Sequence, residues 1–157
     1  MTVDTDRRRR TAATVVFAVA LAEAVTTVAA GAASGLGWAR LAALFVVTNA
    51  VIGLSLAVCG WLIASHHPRN GVGWSLLAGG CCYGSTATGL TLLAWAGDPS
   101  PPWRLLATVV NGGWTWALAL FIPLALVLFP DGRLPGGGWR WLVAALGRQT
   151  PTETLAS

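Results

Sequence analysis

The stretch Thr11–Ala33, TAATVVFAVALAEAVTTVAAGAA, decides the fold. It carries one charged residue, Glu23, in a run long enough to cross a bilayer, since about 20 apolar helical residues span a hydrocarbon core roughly 30 Å thick. Three more stretches of this kind follow: Leu41–Ala64, Val72–Ala96 and Leu105–Phe129. Across all 157 residues, 55% are apolar and 10% charged. A water-soluble domain usually carries about a quarter charged residues, so the shortfall points to lipid as the solvent. The expected fold is an all-α membrane protein: an antiparallel bundle of four transmembrane helices plus a short interfacial C-terminal helix.

The breaks between the runs have the composition of interfacial turns: SGLGWAR at Ser34–Arg40, SHHPRNG at Ser65–Gly71 and GDPSPPWR at Gly97–Arg104. Gly, Pro, Asn and Ser end helices because they reach unusual backbone angles or cannot continue the hydrogen-bond ladder. Loops this short make neighbouring spans antiparallel.

All ten basic residues are arginines, so the net charge of +4 describes a few clusters and no general basic surface. The run Arg7–Arg10 has a nucleic-acid reading, but a flank to a span is the commoner one, because the apolar stretch begins at once at Thr11. With the N-terminus in the cytoplasm, the inner side receives Arg7, Arg8, Arg9, Arg10, Arg69, Arg133, Arg140 and Arg148; the outer loops hold only Arg40 and Arg104. That bias predicts a multi-pass protein of the plasma membrane with both termini cytoplasmic.

The tryptophans agree with the boundaries: Trp38, Trp95 and Trp103 fall at outer ends, and Trp61, Trp74, Trp139 and Trp141 at inner ends, where indole prefers to sit. Trp114 and Trp116 lie deeper. A cleaved signal peptide is the competing reading of the N-terminus, ending in the small residues Ala29–Ser34. Against it, the run exceeds the usual apolar core and holds Glu23.

The expected division is a basic tail over 1–10, the membrane domain over 11–129, an inner loop with a partial fifth helix over 130–147, and a polar tail over 148–157. The stretch Trp139–Gly147 is too short to cross and is expected to lie at the inner interface.

Glu23 is the one acidic residue well inside a span, where a charge costs at least a few kcal/mol. Counting about 1.5 Å of rise per residue puts it roughly 16 Å below the outer end, level with Thr86 and Trp116, with Asn49 and Thr88 somewhat shallower. A polar layer of Glu23, Asn49, Thr86, Thr88 and Trp116 is therefore expected, either functional or a neutral acid bonded for structural reasons. In the third span, Gly80, Gly84 and Thr88 form one small-residue row and Cys81, Ser85 and Gly89 another, a helix-packing surface first. Pro123 cannot donate to the carbonyl of Ala119 and is expected to kink the fourth span.

No catalytic, cofactor or metal site is expected. Cys59, Cys81 and Cys82 lack metal or redox spacing, His66 and His67 lack further ligands, and no nucleophile or phosphate-binding motif is present.

Two loops carry a resemblance. HHPRNGVGWSLLAGG at His66–Gly80 and LFPDGRLP at Leu128–Pro135 resemble the membrane-embedded N-terminal region of actinobacterial sensor histidine kinases. There, R-N-x-x-G-W-L-L opens one span and L-F-P-D-G-R-L-P closes a later one. The matching residues are Arg69, Asn70, Gly73, Trp74, Leu76 and Leu77, then Leu128, Phe129, Pro130, Asp131, Gly132, Arg133, Leu134 and Pro135. By layout the resemblance covers roughly residues 11–147.

It implies a signal-input region that is non-catalytic in this chain, because the segments bearing the phosphorylated histidine and the ATP site do not follow Pro135; the expectation is an orphaned or truncated module, or a nonfunctional remnant. Its implied partners are the lipid bilayer and either a second copy or a separate kinase subunit, with no nucleic acid. The rival reading is a small proton-coupled transporter using Glu23, as in small multidrug antiporters; those chains are shorter and lack the P-D-G-R-L-P loop.

Overall fold

The computed structural model describes residues 2–97 and 100–133. Helix α1 spans Thr2–Ala33, α2 Trp38–Ala43, α3 Val46–His66 and α4 Gly71–Ala96. A fourth pass is built from α5 (Pro101–Asn111), α6 (Gly113–Trp116), a π-helical turn (Ala117–Phe121) and α7 (Ile122–Leu128). Four segments are long and apolar enough to cross a membrane: Asp4–Ala33, Val46–His66, Gly71–Ala96 and Pro101–Leu128. Among the described residues there is no strand, and the expected four-helix membrane architecture holds. The interfacial helix expected over Trp139–Gly147 lies outside the described residues, as do Leu134 and Pro135.

The third pass is the axle. In its most apolar stretch 44% of residues are buried, against 22%, 22% and 17% in the first, second and fourth passes, so α4 is the helix the others surround. Its small residues explain why. A Cβ on Gly80 would come within 2.6 Å of the Ala57 nitrogen, and one on Gly73 within 2.8 Å of the Ala64 nitrogen. From the other side, a Cβ on Gly53 would come within 2.8 Å of the Gly84 nitrogen. Helices α3 and α4 thus meet backbone to backbone along Gly53, Ala57, Gly60 and Ala64 on one and Gly73, Leu77, Gly80 and Gly84 on the other. In lipid, where burial offers no gain over the solvent, such close van der Waals contact is what holds helices together. The Gly80/Gly84 row is therefore consumed inside one chain.

Helix α1 lies against both. Ala13, Ala20 and Thr27, seven residues apart, are buried. Phe17 stacks on Trp61 with ring centroids 4.9 Å apart, and the Trp61 indole N–H donates to Thr14 Oγ1 at 3.3 Å.

Several boundaries differ from the sequence reading. Helix α1 runs back through Arg7–Arg10 to Thr2, its first turns carrying an exposed Asp4–Arg8 pair one turn apart at 3.2 Å. The second pass begins at Val46, not Leu41, because Phe45 adopts a left-handed conformation at φ 58° that separates α2 from α3. The fourth begins at Pro101, where two prolines fill the first helical positions and need no hydrogen-bond donor. Near Pro123 the chain does not simply kink: the π-helical turn ends two residues before it, widening the helix just ahead of the missing N–H.

Candidate functional site

Glu23 projects from the C-terminal half of α1 toward α4, and Gly84 makes room for it. A Cβ at position 84 would overlap the carboxylate oxygen Oε2 and lie 3.3 Å from its Cδ. Oε2 is buried there without a hydrogen-bond partner among the described residues. Two threonine hydroxyls nearby bind the backbone of Glu23 instead of its carboxyl. Thr27 Oγ1 lies 2.9 Å and Thr88 Oγ1 3.0 Å from the Glu23 carbonyl, and the two hydroxyls are 3.0 Å from each other. Thr88 also reaches the Gly84 carbonyl at 2.9 Å, so two hydroxyl protons are shared among more acceptors than they can serve at once.

The expected polar layer is thus split. Thr88 meets Glu23, but Thr86 points to the other side of α4. There its hydroxyl accepts from the Trp114 backbone N–H at 3.0 Å and lies 3.1 Å from the Cys82 carbonyl. Asn49 joins none of these bonds, and Trp116 faces outward, 41% exposed. The height of each residue was readable from helix rise, but the side it faces was not. Thr27 went unnoticed for a related reason: one turn after Glu23 on the same face, it looks like an ordinary span threonine.

A cleft of about 210 Å³ opens beside Glu23, between α1, α4 and α5. Ser85, Thr88 and Gly89 form its floor, and Trp103, Leu106 and Val110 come from α5. Small residues on α4 create the space, and α5 is drawn close beside it: a Cβ on Gly89 would come within 2.7 Å of the Val110 side chain. Glu23 is the one ionisable residue in the lining.

The second place where polar residues gather is the basic end of the bundle. Asn70 Oδ1 caps α4 by accepting from the Val72 N–H at 2.8 Å, while its Nδ2 donates to the Pro130 carbonyl at 3.5 Å. The Gly71 N–H donates to the Gly132 carbonyl at 3.4 Å, and Gly132, at φ +68°, allows the turn to fold against Asn70. The Trp74 indole donates back to the Pro68 carbonyl at 3.0 Å. Arg69 Nε pairs with Asp6 of the helical tail at 3.0 Å.

Gly73 is buried against α3, and Asp131 and Arg133 line a polar basin of about 360 Å³ with Arg10, His66 and His67. The two loops singled out from the sequence are therefore one interlocked structure. Among the described residues no cluster of metal-binding side chains occurs.

No family model, curated protein or solved structure matches this chain.

Proposed function

We propose that this chain is a signal-input region of a multi-pass membrane receptor, of the kind its two loops resemble in sensor histidine kinases, and non-catalytic by itself. The observation that carries the reading is the junction at the basic end. There the helical tail, the α3–α4 turn and the end of the fourth pass are tied through Asp6–Arg69, Asn70–Pro130 and Gly71–Gly132. A shift of one pass against α4 would be felt at this junction by the others. With six described arginines at this end (Arg7, Arg8, Arg9, Arg10, Arg69, Arg133) and two at the other (Arg40, Arg104), the junction faces the cytoplasm in this reading. The cleft beside Glu23 then lies in the outer half, where a ligand that prefers one helix packing would shift the population.

The test is a chimera in which this chain replaces the membrane region of a sensor histidine kinase, reconstituted in vesicles. Kinase autophosphorylation should depend on the helical register of the joint, and Asn70→Ala should change its level. Activity indifferent to both would refute the input role.

One observation favours a second reading, proton-coupled transport: the unpartnered Oε2 of Glu23 at membrane depth. A dye-efflux assay separates the two. Glu23→Gln should abolish efflux if the chain is a transporter; the input reading expects no efflux from either protein.

A further inference from the structure

We infer that the polar basin at the basic end binds the phosphodiester headgroup of one anionic phospholipid. The inference rests on the input reading, which places that end at the cytoplasmic leaflet, and it gives the junction a ligand.

The basin draws its charges from three separate segments: Arg10 from α1, Arg69 from the α3–α4 turn, and Asp131 and Arg133 from the turn after α7. Asp6 is the other charged residue in the lining. Three guanidiniums against two carboxylates leave one positive charge, which matches the single negative charge of a phosphodiester. A doubly charged phosphate monoester would leave its second charge unmatched beside Asp6 and Asp131.

The donors a phosphate needs are free on these arginines and not on the backbone around them. The Asn70 side chain and the Gly71 and Val72 N–H groups are engaged in the junction itself. Arg69 gives its Nε to Asp6 at 3.0 Å, which leaves its two terminal amino groups for a ligand. Neither Arg10 nor Arg133 forms an ion pair among the described residues. A guanidinium presents parallel N–H groups to phosphate oxygens, so one phosphate held by arginines of different segments would tie those segments together.

Depth decides where the phosphate comes from. Arg10 adjoins the apolar run that begins at Thr11, His66 is the last residue of α3, Asn70 caps α4, and Asp131 follows closely on the end of α7 at Leu128. The basin therefore lies where the apolar passes end, at the level of lipid phosphates, and an anionic leaflet presents phosphodiesters there without drawing them from water. Its volume of about 360 Å³ admits the phosphate together with a small alcohol such as glycerol.

The experiment is native mass spectrometry of the full chain in neutral detergent micelles, titrated with dioleoylphosphatidylglycerol or with dioleoylphosphatidylcholine, which has the same chains. One phosphatidylglycerol per protein should bind at least about tenfold more tightly than phosphatidylcholine. The double variant Arg10→Gln/Arg133→Gln should weaken that first lipid by about tenfold or more. Arg7→Gln/Arg9→Gln removes the same charge from exposed tail positions outside the basin and should change binding by less than about twofold. Glycerophosphoglycerol, the headgroup without its chains, should displace the lipid only at millimolar concentrations, and circular dichroism should show that both double variants remain helical. Equal binding of the two lipids would overturn the inference, as would a loss no greater for the basin pair than for the tail pair. Displacement by micromolar inorganic phosphate or glycerophosphoglycerol would overturn it too, by making the site one for a soluble phosphate. The titration reads neither kinase activity nor sidedness. Its failure leaves the chimera's register dependence intact, and an indifferent chimera leaves the lipid site standing.

Discussion

Glu23 stood out in the sequence because a carboxyl in the middle of an apolar run has few explanations, yet its closest neighbour, Gly84, was visible only as one of several small residues. Rise along a helix gives depth, and depth placed Thr88 correctly beside it. Rotation about the axis is set by packing, and that sent Thr86 to Trp114 and left Asn49 and Trp116 outside. The Gly84–Glu23 contact makes a sharp prediction. Gly84→Ala should destabilise the protein by about 1–3 kcal/mol through overpacking, measured by reversible unfolding in mixed micelles. The same change in a Glu23→Ala background should cost clearly less, because the atom it strikes is gone; additive costs would show that the two residues do not meet. By contrast, Asp6→Ala removes an exposed pair (side chains 60% and 34% exposed) and should change stability by less than about 1 kcal/mol in the same assay.

At the level of elements, the four passes were legible because length and apolarity are nearly sufficient to define a span. The glycine rows of α4 were legible as packing surfaces, but their partner row on α3, Gly53, Ala57, Gly60 and Ala64, was not singled out, since small residues are common in all these helices. Breaks that depend on tertiary contacts were also hidden. Nothing about Phe45 forecasts a left-handed residue, and Pro123 indicates a disturbed helix without saying that a π turn absorbs it.

Gly80→Leu should push α3 and α4 apart and lower stability far more than Ala78→Leu, a neighbouring position on the same helix that is not in the glycine row, as read by thermal unfolding in micelles. Asn70→Ala should cost about 1 kcal/mol from the lost helix cap, whereas Asn70→Asp retains the cap oxygen and should recover most of it.

Over the whole molecule, the even number of passes brings the tail, the α3–α4 turn and the P-D-G-R turn to one end. The sequence showed these as separate arginine-bearing loops; folding shows that they touch through Asn70, Gly71, Pro130 and Gly132. The role of these contacts in a cell was not legible in either, because a helical bundle is compatible with many functions. Topology underlies both the junction and the placing of the Glu23 cleft. Its most direct test is labelling with a membrane-impermeant maleimide in intact cells and in inverted vesicles, using single cysteines at Gly35, His67 and Asp131 in a protein whose Cys59, Cys81 and Cys82 are replaced by alanine. Gly35→Cys should react only in intact cells, and His67→Cys and Asp131→Cys only in inverted vesicles. Reaction of His67→Cys in intact cells, or of His67→Cys and Asp131→Cys from opposite sides, would contradict the four-pass arrangement with a cytoplasmic junction.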